Sequence, residues 1–215
     1  MVASSASRSA TPRRTRLRPR RRPPPRPRPS DLSAHTPRPT LVVVSGPAGS
    51  GKTTLAHQLA REVGCPAVCR DEIKEGLVYG RADFQAAIDD EFTVAASALF
   101  FDTLRLLVEH GVTVVAEAAF QHHVWAPNLA PLRGAAEIVV VQCQADPAVA
   151  LARVKARAGS RPAHADDAVL ARGDEYFTSF RRIELDVTTI TVDTTDSYDP
   201  PLADVVGYAR LLHGG

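Results

Sequence analysis

The octapeptide Gly46-Pro47-Ala48-Gly49-Ser50-Gly51-Lys52-Thr53 fits G-x-x-x-x-G-K-[ST], a spacing suited to holding phosphate. Its glycines let backbone N–H groups wrap an anion without interference from Cβ atoms. A helix opening at Lys52 would add the partial positive charge of its N-terminus. Lys52 can then reach the β- and γ-phosphates of a nucleotide. The Thr53 hydroxyl can ligate Mg²⁺, with Thr54 beside it in the same first turn. The implied ligands are ATP and Mg²⁺.

Such a loop binds nucleotide, and other residues decide what the nucleotide is for. Arg70-Asp71-Glu72-Ile73-Lys74 follows a short apolar segment. In an open parallel sheet, ligands bind at the carboxyl ends of the strands, which puts Asp71 at the crevice beside the loop. A carboxylate there can accept the proton of an attacking hydroxyl during phosphoryl transfer. It can equally serve as a helix N-cap, and the two roles are compatible. Lys74, about one turn on, shares a helical face with Asp71 and can hold an anionic or hydroxyl-bearing substrate.

Glu117 closes the run Val114-Val115-Ala116. An acid there can bind Mg²⁺ through water, hydrogen-bond a substrate hydroxyl, or simply mark a strand's exit. Arg153 and Arg157 share a helical face, with Arg161 and His164 in the segment that follows. Arginines that close over a transferring phosphoryl group can be worth about 10³–10⁵ in rate. Their bland alternative is a solvated helix face.

These residues need a scaffold that gathers strand ends. Apolar runs predict strands at 40–45, 67–70, 112–116, 137–143 and 188–193. Helical patterns predict a helix over 52–63 stopped by Gly64, and a short helix or turn over 71–78. A long helix is expected over 84–110, capped by Asp83, and a proline-broken one over 125–132. Asp146 and Pro147 start another that runs to about 158. A loop over 159–165, a helix over 166–185 and a last helix over 201–212 complete the chain. Strands alternating with helices predict an α/β, three-layer P-loop NTPase fold on a five-stranded parallel sheet. Five short strands suit a small kinase better than a large motor ATPase.

The 215 residues allow one domain over 40–215 plus a tail over 1–39. Residues 1–40 hold 11 Arg against one acid, Asp31, so they carry +10. The remaining 15 Lys and Arg against 23 acids leave the body at −8. An Arg/Pro-rich segment with so few apolar residues reads as a disordered tail. It can neutralise phosphates, so nucleic acid is a partner to consider, yet an acidic body does not favour a long polyanion. No apolar run reaches membrane-spanning length, and Cys65, Cys69 and Cys143 suit reduced thiols in the cytoplasm. Oligomeric state leaves no mark in the sequence.

Taken together, residues 46–53, Asp71 with Lys74, Glu117, and Arg153 with Arg157 resemble the small P-loop kinases of the AAA-type "predicted kinase" group. Polynucleotide 5′-hydroxyl kinase, zeta toxin and chloramphenicol phosphotransferase share the pattern. The resemblance spans residues 40–213. It implies an ATP:hydroxyl phosphotransferase on an adenylate-kinase-like sheet, with Asp71 as general base and Arg153 and Arg157 as lid clamps. Lys74 stands where polynucleotide kinases carry Arg, and residues 121–125 lack the arginine often found after the third strand. Both departures count against a nucleic-acid 5′ end as acceptor. A small hydroxyl-bearing molecule is therefore the expected substrate. The alternatives are a nucleotide-dependent nucleic-acid binder using the Arg-rich arm, and a toxin or antibiotic phosphotransferase.

Overall fold

Five of the apolar runs become strands: β1 (Thr40–Ser45), β2 (Ala67–Cys69), β3 (Val114–Ala118), β4 (Glu137–Gln144) and β5 (Thr188–Asp193). All pair in parallel, in the order β2-β3-β1-β4-β5. The computed structural model describes residues 38–211 apart from 82, 88 and 162, so all but the last two residues of the tail predicted over 1–39 lie outside the described residues. Eight α-helices are described: α1 (Lys52–Val63), α2 (Arg70–Val78), α3 (Glu91–Glu109), α4 (His122–Leu129), α5 (Pro147–Arg157), α6 (Asp166–Arg172), α7 (Asp174–Thr178) and α8 (Leu202–Leu211).

β1 is the middle strand and is buried along its whole length, which explains its unbroken apolar run. Leu41 and Val43 face one layer, built from Phe100, Leu104, Trp125 and Leu129. Val42 and Val44 face the other, with Leu55, Leu59, Val139 and Val206. Helices thus cover both faces of the sheet, the expected three-layer α/β arrangement. Trp125 donates its indole N–H to Ser45 Oγ, and Ser45 donates to the Phe120 carbonyl, so the buried indole is satisfied at the end of β1.

Two predicted helices differ from the structure for identifiable reasons. The long helix begins at Glu91 and not at 84, because the cap is Asp90 and not Asp83. Asp90 Oδ1 accepts from Thr93 N at 2.8 Å, while its Oδ2 accepts from Ala87 N at 2.9 Å. The preceding segment stays irregular, and Phe84 packs edge-on against Phe92. The helix expected over 166–185 breaks at Gly173, whose φ of +52° redirects the chain between α6 and α7. Elsewhere the agreement is close. Asp146 accepts from the N–H groups of Ala148 and Val149, with Pro147 opening α5. Glu117 lies inside β3 and does not follow it.

Candidate active site

Residues 46–51 carry the chain from β1 into α1, so Lys52 is the first helical residue. Gly49 has φ +75°, and a methyl group there would run into the Ala150 backbone. Only glycine allows this tight approach to α5. Lys52 is buried, with Nζ 3.5 Å from Glu117 Oε1. Glu117 is held in line by the sheet, since Val44 near the end of β1 pairs with Glu117 on β3, and Glu117 pairs with Cys69 on β2.

Among the described residues, both Glu117 carboxylate oxygens and Ser50 Oγ are buried without a hydrogen-bond partner. Glu117 has the Lys52 ammonium only at 3.5 Å, which leaves its oxygens capacity for a closer donor or a cation. Burial pushes the Glu117 carboxyl above its ordinary range, against the pull of Lys52, and Asp71 adds to the rise. The Cys69 thiol is pushed up as well, by burial and then by Glu117.

Beside this pair a cavity of about 240 Å³ opens at the carboxyl end of the sheet. Ala48, Lys52, Asp71, Lys74, Arg157 and Tyr176 are among the residues that line it. Asp71 is in the first turn of α2 with one oxygen 2.9 Å from Arg70. Burial works to raise its pKa, yet the charges of Arg70, Lys52 and Arg157 outweigh it and leave the carboxyl lowered. It is therefore ionised at neutral pH.

The basic residues divide into distinct roles. Arg157 makes a forked contact with the buried Asp166, at 2.8–3.3 Å, on the cavity wall. Arg153 faces the back of the phosphate loop, donating to the Gly49 carbonyl at 3.3 Å and to the Thr194 and Thr195 carbonyls at 2.7 and 2.9 Å. It ties the loop to the end of β5. Arg161 and His164 both reach Glu75 on α2, at 3.3 and 3.1 Å, and hold the segment after α5 down across the site. Lys74 lines the cavity but spends its ammonium on Asp90 Oδ2 at 2.6 Å and Thr93 Oγ1 at 2.7 Å, beneath the Phe84 ring. Thr53 is half-buried beside Glu117, and Thr54 points outward, exposed.

Lys74 therefore has a structural partner that the sequence reading missed. Burial opposes ionisation of Asp90, but Lys74 and the Ala87 and Thr93 N–H groups hold its pKa down, from 3.8 to about 2. A carboxyl with a depressed folded-state pKa stabilises fully above its unfolded value and loses that contribution as pH falls. Thermal midpoints measured between pH 5 and about 2 should fall more steeply for the native chain than for Asp90→Asn, which keeps the cap and removes the charge. Parallel curves would contradict it.

Three further residues escaped the sequence reading. Tyr176 accepts the Ala48 N–H at 3.3 Å, so a residue 128 positions away touches the phosphate loop. Asp166 orients Arg157, and Thr194 accepts from Arg153 and donates to the Ser50 carbonyl. The Gly173 break was the one local signal for Tyr176, because a turn there returns α7 toward the loop.

The AAA_33 family, described as an AAA domain, matches residues 41–180. A candidate kinase from Chloroflexus aurantiacus j-10-fl superposes with a TM-score of 0.72 at 23% identity, covering 83% of this chain and 100% of that one. A sugar kinase from Janibacter sp. HTCC2649 gives 0.54 at 19%, covering 82% and 94% of the two chains. The Mycobacterium tuberculosis APS kinase, in complex with AMPPNP and APS, gives 0.55 at 16%, covering 82% and 98%. At these identities the likeness is one of fold. No curated protein matches the sequence. Among the described residues, no helix is long and apolar enough to cross a membrane.

Proposed function

The chain belongs to the AAA_33 family of AAA domains, and from that premise we propose that it is a kinase, moving the γ-phosphoryl group of ATP to a hydroxyl of a small molecule. The observation that carries this reading is the meeting of Lys52, Asp71 and Arg157 on one small cavity beside the phosphate loop. A switch or motor needs the loop, whereas a carboxylate facing it is what an alcohol acceptor requires. The fold likeness to a sugar kinase and an APS kinase supports it.

In this reading the backbone N–H groups of residues 49–53 and the start of α1 receive the phosphates. Lys52 offsets charge on the β- and γ-oxygens, and buried Glu117 holds its ammonium in place. The Glu117 carboxylate, which Lys52 reaches only at 3.5 Å, and the neighbouring Thr53 hydroxyl fit Mg²⁺, which these residues would hold. Bound there, the ion would neutralise phosphate charge.

Asp71 takes the proton from the acceptor hydroxyl as the new O–P bond forms and the bond to ADP breaks. Its lowered pKa makes it a weak base, so the proton moves late, when the oxygen is already bonded to phosphorus. Arg157, pre-aimed by Asp166, sits where charge spreads over the transferring group. Arg153 keeps the phosphate loop in register from behind, and Arg161 helps close the site through Glu75. Lys74, already neutralised by Asp90, shapes the acceptor wall more than it binds an anion.

A transfer screen with γ-labelled ATP tests the proposal. Sugars, nucleosides, aminoglycosides, chloramphenicol and 5′-hydroxyl oligonucleotides form the acceptor panel. Label on a small alcohol is the expected result. Label on oligonucleotide alone would replace a small-molecule acceptor with a nucleic-acid end.

A further inference from the structure

His57, Cys69 and Glu72 come together where α1, β2 and α2 meet; none of the three lines the cavity, and neither the phosphate loop nor the proposed transfer uses them. His57 lies on α1, Cys69 ends β2, and Glu72 is in the first turn of α2. One atom of each lies within 4.8 Å of the others. The same nitrogen, His57 Nε2, is 2.6 Å from Glu72 Oε1 and 3.7 Å from Cys69 Sγ. His57 and Glu72 are exposed and Cys69 is buried, so the cluster opens to solvent on one side and is anchored in the core on the other.

We propose that His57, Cys69 and Glu72 form a binding site for a borderline-soft divalent cation, Zn²⁺ being the natural occupant, with water as the fourth ligand. Imidazole nitrogen, thiolate sulfur and carboxylate oxygen are the donors that Zn²⁺ takes. Hard Mg²⁺ prefers all-oxygen sites.

The spacing agrees with that geometry. With bonds of about 2.0–2.3 Å at tetrahedral angles, a sulfur and a nitrogen ligand sit roughly 3.6 Å apart. Cys69 and His57 are already at 3.7 Å. A nitrogen and an oxygen ligand would sit about 3.3 Å apart, so only the Glu72 carboxylate has to withdraw, by well under 1 Å. Its exposed side chain is free to do so. Binding converts the Cys69 thiol to a metal thiolate and releases one proton to solvent. The bound ion pins the turn carrying Asp71 to α1, because Cys69 and Glu72 bracket Asp71 in the chain.

Co²⁺ is the probe, added to the full chain without nucleotide. A thiolate-to-cobalt charge-transfer band should appear at one equivalent, be displaced by Zn²⁺, and be lost in Cys69→Ser. His57→Ala and Glu72→Gln alter exposed side chains and should weaken Zn²⁺ binding about tenfold or more. Zn²⁺ should also raise the thermal midpoint of the native chain, and raise that of His57→Ala less at the same concentration. Absence of the thiolate band would overturn the proposal. So would equal Zn²⁺ affinity in the native chain and in both His57→Ala and Glu72→Gln, even if Cys69→Ser failed to fold.

Discussion

Lys52→Ala is expected to cut turnover by at least about 10²–10³-fold and to weaken ATP binding, because it removes the buried ammonium at the start of α1 that we propose meets the β- and γ-phosphates. The loss also reaches the apoprotein. Glu117 is buried, its oxygens have no hydrogen-bond partner among the described residues, and Lys52 is its nearest cation at 3.5 Å. Without that ammonium, burial raises the Glu117 carboxyl further and the group is held neutral. A carboxyl whose folded pKa lies above its unfolded value favours the folded state most at low pH. The variant's stability deficit should therefore shrink as pH falls through the carboxylate range. Turnover and thermal midpoints followed against pH check both parts. Native-like turnover would remove Lys52 from the site, and a pH-independent deficit would separate it from Glu117.

Asp71→Asn is expected to lower phosphoryl transfer about 10²–10⁴-fold while leaving the ATP dissociation constant nearly unchanged. Asparagine keeps the size and the hydrogen-bonding capacity at the start of α2, so the fold and the nucleotide cradle persist. Only the acceptance of the proton is lost. The native enzyme should stay active well into the acidic range, since the surrounding cations hold Asp71 ionised below the ordinary carboxylate pKa. Transfer assays beside nucleotide titration separate the two effects. Unchanged transfer would sink the base assignment, and a large loss of ATP affinity would recast Asp71 as a binding residue.

The sheet and the phosphate loop were legible because their signals are local. A fully buried parallel strand must be apolar on both faces, and a phosphate cradle must be glycine-rich, so residues 40–53 declare both at once. Asp71 was singled out by the rule that ligands sit at strand ends, and Glu117 by being the acid that closes an apolar run. The remainder depended on partners distant in sequence. Lys74 looked available to substrate until α3 brought Asp90 to it, across 16 positions. Arg153 and Arg157 share a helical face, yet one meets the Gly49 carbonyl and the other Asp166, a division that periodicity cannot express. Asp83 and Asp90 are equally good caps by type, and the buried ammonium of Lys74 selects between them.

We propose that the site passes phosphate to an alcohol instead of to water. The most direct measurement follows γ-labelled ATP with the acceptor panel present and compares label on the acceptor with label released as inorganic phosphate. Acceptor-dependent transfer to a small alcohol, exceeding hydrolysis, is the expected result. Label appearing only as inorganic phosphate, whatever acceptor is supplied, would contradict it.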